Sequence, residues 1–181
     1  MIITISGLPG SGKSTVAKIL AEKLGFKRYY AGGVRRDAAK KMGLTLEEFN
    51  KIGEKDISTD KFVDDILVEI GKKQDNIIVE GRTAFHFIPQ SIKVFLDVDL
   101  NEGARRIFEE KKHTTERNEK STISVEEELK LLKERMKSDS LRYLKYYGFD
   151  CYEKKHYDFV VDTTKIKPEQ TAEKILEFIK K

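Results

Sequence analysis

Nine consecutive residues, Gly7-Leu8-Pro9-Gly10-Ser11-Gly12-Lys13-Ser14-Thr15, constrain the fold of this chain more than any others. They lie between a short β-rich apolar run, Ile2-Ile3-Thr4-Ile5, and a stretch with apolar residues at helical spacing, Val16, Ala17, Leu20 and Leu24. The order is Gly, four residues, then Gly-Lys-Ser, at a strand-to-helix junction. Glycines at these positions let the backbone wrap a phosphate closely, so that several N–H groups donate to it, and the positive end of the following helix adds to the attraction. Lys13 supplies a full charge for the β and γ phosphates of a nucleoside triphosphate, and the Ser14 hydroxyl suits Mg²⁺. The whole tract Gly7, Leu8, Pro9, Gly10, Ser11, Gly12, Lys13, Ser14 and Thr15 is therefore expected to hold ATP with its Mg²⁺.

The rest of the chain alternates strand and helix. Gly25 closes the first helix, and Lys27 to Tyr30 reads as a second strand. Three polar-rich helical stretches follow at about 34–42, 45–55 and 58–72, the middle one opened by a Thr45/Glu48 capping box. Asn76 to Glu80 and Lys93 to Val98 read as buried strands. Asn101 is placed to cap a helix carrying Ala104, Ile107 and Phe108. Ser124-Val125-Glu126-Glu127 opens a long helix that ends at Gly148, Asp158 to Asp162 forms the last strand, and Pro168 opens a final helix with Ala172, Ile175, Leu176 and Ile179 inward. This order predicts an α/β chain, a three-layer α/β/α sandwich around a five-stranded parallel sheet. The 181 residues form one domain: a core of 1–33, 73–108 and 124–181, with inserts at about 34–72 and 109–123 as the moving parts.

Composition narrows the function classes. Thirty-five Lys and Arg against thirty-one Asp and Glu leave +4, enough for a cationic cleft but not for a polybasic tail. One cysteine, Cys151, excludes an intramolecular disulfide and reads as a packed side chain. Met1 precedes the first strand without a basic leader and no apolar run is long enough for a bilayer, so a cytoplasmic protein without membrane partner is expected. His86, His113 and His156 lack metal spacing, and His86 between Phe85 and Phe87 reads as packing. The tyrosines at 143, 146, 147, 152 and 157 read as a helix end docked on the core rather than a platform for nucleic acid. No Asp-x-x-Gly occurs, and Asn50-Lys51-Ile52-Gly53 fails the Asn-Lys-x-Asp pattern at its last position, which argues against a GTPase switch.

Charged residues at element ends suit phosphoryl transfer, in which catalysis is mainly positioning and charge neutralisation. Glu80 or Asp97, each ending a strand, is placed to orient metal-bound water. Arg36 and Arg82 follow strands, and Arg135, Asp139 and Arg142 fall within roughly 60° of one another on a helix face. By spacing alone that stripe is either a solvated ion-pair ladder or part of a site.

Several of these pieces together resemble the short, archaeal-type cytidylate kinases of the P-loop nucleoside monophosphate kinase family, nearly from end to end. They are Ser6 to Thr15, Ala31-Gly32 with Arg36, the Leu46-to-Asp60 tract with Glu54 and Asp56, Glu80-Gly81-Arg82, the string from Arg135 to Tyr143, Tyr147-Gly148-Phe149-Asp150, and Tyr157 to Thr164. The resemblance implies transfer of the ATP γ-phosphate to CMP and dCMP with Mg²⁺; a monomer is expected. It implies that Lys13, Arg135 and Arg142 act on the phosphates during transfer, and that Arg36, Arg82, Asp139 and Arg142 serve the monophosphate site, Asp139 by binding ribose or orienting the arginines. Residues 34–72 become the monophosphate-binding flap and 109–123 the lid. Gly33, Arg35, Thr83 and Met136 depart from the pattern, where Asp, an aromatic, Leu and an acid are usual; these bear on the choice of acceptor. Lys111, Lys112, Arg117 and Lys120 of the lid read as largely solvated. Two other readings stay open: a kinase for AMP, UMP or a small molecule, and an adenylate-kinase-like regulatory ATPase or assembly factor.

Overall fold

The computed structural model describes residues 1–113 and 119–180. Five strands, β1 (Ile2–Gly7), β2 (Lys27–Tyr30), β3 (Ile77–Glu80), β4 (Ile92–Asp97) and β5 (Phe159–Asp162), form one sheet in the order β2-β3-β1-β4-β5. Every pairing is parallel. Central β1, buried at each of its positions, shows why a continuous apolar run marks a strand covered on both faces.

Alternation along β1 divides the core. Ile3 and Ile5 face α1 (Lys13–Leu24) and α8 (Pro168–Ile179), packing with Val16, Leu20, Ala172 and Ile175. On the other face, Ile2, Ile77 and Val79 pack with Val63 and Leu67 of α4 (Ser58–Lys73) and with Ala84 of the four-residue α5 (Ala84–Phe87). Thr4, buried on that same face, shares a hydrogen bond of 2.9 Å with the Ser91 hydroxyl, so its polar atom is satisfied. Between β2 and β3 lie α2 (Ala31–Lys41), α3 (Leu46–Gly53) and α4, and α6 (Leu100–Lys111) packs on the long α7 (Val125–Tyr147) through Ala104, Ile107 and Leu132.

Local signals account for most element ends. Gly25 and Gly148 end α1 and α7 in the left-handed conformation, and the Thr45/Glu48 box opens α3 reciprocally. The cap of α6 is Asp99 rather than Asn101: its Oδ1 accepts from the Asn101 and Glu102 N–H groups at 2.9 and 3.1 Å. The aromatic docking is as read from the tyrosines, with Phe85, Tyr143, Phe149 and Cys151 buried together and Tyr147, Tyr152 and Tyr157 against them. His86 lies 4.6 Å from the Phe149 ring, and burial with nearby His156 lowers its pKa. Among the described residues no helix is long and apolar enough to cross a membrane.

Ile5 is fully buried at the centre of the α1/α8 face, where little can collapse into a vacated space. Ile5→Ala is expected to cost about 2–5 kcal/mol, read as a lower urea midpoint at unchanged m-value.

Candidate functional site

The phosphate loop is shaped by contacts that only glycine permits. Gly7 has φ 144°, and a Cβ there would lie 2.1 Å from the Leu96 carbonyl oxygen; Gly10 has φ 79°, and its Cβ would lie 2.3 Å from that of Gly103. The loop therefore sits directly on the ends of β4 and α6. Leu8 N–H donates to Leu96 O at 3.1 Å and Ser11 N–H to Leu8 O at 3.2 Å. The first turn of α1 carries no acid to oppose an anion. Lys13 Nζ is turned back on the loop, donating to Gly7 O at 3.0 Å and Leu8 O at 2.7 Å.

A cavity of about 920 Å³ opens beside this loop, lined by Pro9 to Val16 together with Arg36, Glu80, Arg82 and Arg135. Elements distant in sequence thus deliver the loop, an acid and several arginines to one wall. Glu80 is only 2% exposed; one oxygen accepts from Arg28 Nε, and the other, Oε2, is buried without a hydrogen-bond partner. Asp97 does not line the cavity. Its carboxylate turns to Lys154 and to the Val98 N–H, so of the two strand-end acids Glu80 is the one beside Ser14 in the cavity wall.

The arginines divide in two groups. Arg36 and Arg135 converge on Glu119, Arg36 Nη2 at 3.2 Å and Arg135 Nη1 at 2.7 Å, and Lys111 adds a third cation at 3.7 Å. Lys111 also pairs with Glu128 at 2.8 Å, so it is not the solvated lid lysine expected, whereas Lys112 is half exposed beside Glu109. Arg117 lies outside the described residues. The second group is a buried chain. Arg82 Nε bonds Tyr152 OH at 2.9 Å and lies 2.9 Å from Asp139 Oδ2, and Asp139 Oδ1 takes Arg142 Nη2 at 2.5 Å. Arg142 Nη1 then meets both oxygens of Asp60, at 2.6 and 2.7 Å, and Asp60 also accepts from Arg35 Nη1 at 2.8 Å.

Arg142, which the resemblance expects to reach the phosphates as the site closes, lies behind the cavity wall in this structure. It is fully buried, does not line the cavity, and acts on it only through Asp60 and Asp139. Asp139 is likewise buried behind the wall, between two arginines. Burial opposes its charge, yet Arg82, Arg142 and Arg135 hold the carboxyl down at about 2. The stripe is no solvated ladder.

Sequence reasoning missed several members of this wall. Arg35, noticed only as a departure, is a buried hub bonded to Asn50, Thr59 and Asp60 and stacked 5.0 Å over the Phe49 ring. Asp60 and Asp64, four residues apart on α4, are both buried and both line the cavity. Their signal was two acids on the apolar face of a helix. Glu119, in a wholly polar tract, left none.

Asp64 stands out electrostatically. Burial, with Asp60 nearby, raises its pKa from 3.8 to about 6, against the opposing pull of hydrogen bonds from Tyr147 and Thr83 and the charge of Arg35. The folded chain thus keeps a proton that the unfolded chain has released, so this group's contribution falls as pH rises from about 4 to about 6. Asp64→Asn is expected to flatten that part of the stability curve and to leave the melting temperature at pH 8 equal or higher.

The sequence model of the cytidylate kinase-like family matches residues 2–165. Curated relatives include the cytidylate kinases of Methanosarcina mazei, 39% identical over 96% of this chain and 93% of the relative, and of Methanobrevibacter smithii, 33% identical over 99% of both. The cytidylate kinase of Thermococcus kodakarensis is 38% identical, covering 90% of this chain and 79% of its own length. Among solved structures, an uncharacterized protein from Eubacterium ventriosum aligns with TM-score 0.72 at 17% identity, covering 99% of this chain and 98% of that one. Shikimate kinase from Acinetobacter baumannii aligns with TM-score 0.62 at 21% identity, covering 98% and 92%. At that identity the structural matches speak for the fold alone.

Proposed function

The chain belongs to the cytidylate kinase-like family, and on that premise we propose that it is a nucleoside monophosphate kinase transferring the γ-phosphate of ATP to CMP and dCMP. One observation carries the reading: the phosphate loop and the arginines Arg36, Arg82 and Arg135 line the same cavity in a chain whose relatives are named cytidylate kinases. Gly7 to Thr15 take the ATP phosphates, with Lys13 exchanging the carbonyls of Gly7 and Leu8 for phosphate oxygens. Arg82 and Arg36 take the acceptor phosphate, and Arg135 approaches the group in transfer. Asp139 and Arg142 are positioning residues: buried and mutually paired, they hold Arg82 in one place.

Mg²⁺ fits the donor set. Ser14 offers a hydroxyl at the cavity wall, and the unpartnered Glu80 Oε2 suits a hydrogen bond from a metal-bound water. The ion supplies neutralising charge to the phosphates when bound. The chain's own part is to align donor and acceptor and to keep water out, since an open site hydrolyses ATP. The segment 34–72 then acts as the acceptor flap and 109–123, partly outside the described residues, as the lid.

ADP formation from Mg·ATP is expected to rise strongly with CMP or dCMP and weakly with AMP, UMP or GMP. Stimulation by AMP or UMP instead would keep a kinase and discard the cytidylate acceptor. No stimulation by any of them, in protein that binds ATP, would favour a small-molecule acceptor or a regulatory ATPase. Lys13→Ala is expected to lower transfer by at least about 10²- to 10³-fold, the scale for losing one donor to a developing charge. Arg82→Ala is expected to raise the KM for CMP far more than that for ATP.

A further inference from the structure

One stretch of the cavity wall is built from acceptors. Asp64 on α4 and Thr83 just before α5 both line the cavity, 4% and 5% exposed. Thr83 Oγ1 donates to Asp64 Oδ1 at 2.8 Å, and the Tyr147 hydroxyl donates to Oδ2. Each of these hydroxyls has one proton and has given it to the carboxylate, so Thr83 shows only lone pairs to the cavity. A carboxylate has about four acceptor sites, of which these two bonds use two. Nor, among the described residues, does a cation pair with Asp64 at contact distance: Arg35 is committed to Asn50, Thr59 and Asp60, and its remaining nitrogen lies against Gly53. The corner therefore calls for a hydrogen-bond donor.

Thr83 adjoins Arg82, which the proposed function assigns to the acceptor phosphate, so the base of the same nucleotide is the group within reach. We propose that Asp64, oriented by Thr83 and Tyr147, selects the acceptor by receiving a hydrogen bond from the exocyclic amino group of a 4-aminopyrimidine, and rejects the 4-oxo analogue. The inference rests on the monophosphate kinase reading and names its specificity element. Cytosine offers the amino hydrogens that the carboxylate lacks; uracil sets a carbonyl oxygen against carboxylate lone pairs, leaving both unpaired in a desolvated corner. Thr83 is a positioning residue, because its hydroxyl bond holds the Asp64 carboxylate in one orientation.

The state of Asp64 then controls the choice. Ionised, it only accepts; protonated, it donates and tolerates a carbonyl. The titratable and charged groups facing it are Asp60 on its own helix, Arg35 of α2, and Tyr147 of α7. Since CMP and UMP carry the same phosphate, its titration cancels in their ratio.

The test is kcat/KM for CMP and for UMP at saturating Mg·ATP, in wild type, Asp64→Asn and Thr83→Val. Wild type is expected to prefer CMP. Asp64→Asn is expected to cut the CMP/UMP ratio by about tenfold or more, with UMP use rising and the KM for ATP unchanged. Thr83→Val should move the ratio the same way by less, and the wild-type ratio should drop below about pH 6, near the Asp64 pKa. An unchanged ratio in Asp64→Asn, or an equal loss for both acceptors, overturns the proposal and leaves the kinase reading intact. Should Asp64→Asn not fold, Thr83→Val and the pH profile decide, and a flat profile with an unchanged Thr83→Val ratio overturns it. Wild-type turnover of neither CMP nor UMP is a failure of the kinase reading itself, and the proposal falls with it.

Discussion

The interaction on which the site depends is the buried chain of charges Arg35, Asp60, Arg142, Asp139 and Arg82, linked at 2.5 to 2.9 Å. It joins α2, α4, α7 and the segment after β3, four pieces far apart in sequence. Taking such ions from water costs several kcal/mol each, and mutual attraction returns this only where geometry is good and the remaining polar atoms are satisfied. Arg142 spreads one guanidinium over two carboxylates and Asp139 adds a hydrogen bond from Tyr152 at 2.8 Å, but Arg142 Nε and Arg35 Nη2 stay buried without a hydrogen-bond partner, so the chain meets that condition only in part. An apolar core of the same volume would be as stable or more so. What ions provide and methyl groups do not is a directional link, so the insert cannot shift without breaking charge pairs that end on a cavity-lining arginine at either end.

The phosphate loop depends on backbone contact rather than charge. Gly7 and Gly10 allow the loop to lie on the carbonyls of Leu96 and Gly103, with no side chain between. Placement of Lys13 and Ser14 is thereby tied to the end of β4 and the start of α6. Arg106 reinforces the tie from α6, donating to Thr163 O at 2.9 Å and Thr164 O at 3.1 Å beyond β5. A rigid loop on one side and a charge-latched insert on the other define the two walls of one cavity. Such an arrangement suits a reaction whose barrier is lowered by positioning.

How much of this was legible in the sequence follows from how local each signal is. The loop, the strands of the sheet and the caps at Gly25, Thr45 and Gly148 depend on neighbours a few residues away, and they were readable. So was the helical phase of Arg135, Asp139 and Arg142, but not its environment: spacing places residues on a face without saying what covers it. The cover comes from α4 and Tyr152, which only the tertiary fold brings there. Hence the burial of Arg142 behind the cavity wall could not be read from its spacing. The direction of the Asp97 side chain was hidden for a similar reason. Its backbone ends β4 beside the loop, with Thr163 N–H on its carbonyl, while its side chain leaves the site for Lys154. The four residues of α5 are too few to show a period, and Asp99 was passed over because Asn101, two residues on, is an equally good cap by type.

Glu119 shows the same principle in the least readable part of the chain. Burial, Arg82 and Arg36 all depress the pKa of Arg135, so its charge is disfavoured where it stands. A wall that buries this much positive charge needs an anion. Here the chain provides one, a carboxylate 3% exposed on its side chain and shared among Arg36, Arg135 and Lys111. A phosphate meets the same need with more oxygens and more charge, and arginine's planar fork fits either group. The arginines can therefore be held in place before any nucleotide arrives, and ordering them is not charged against binding. A polar tract without a core position, which no hydrophobic pattern could mark as structural, is in this way part of how the site is assembled.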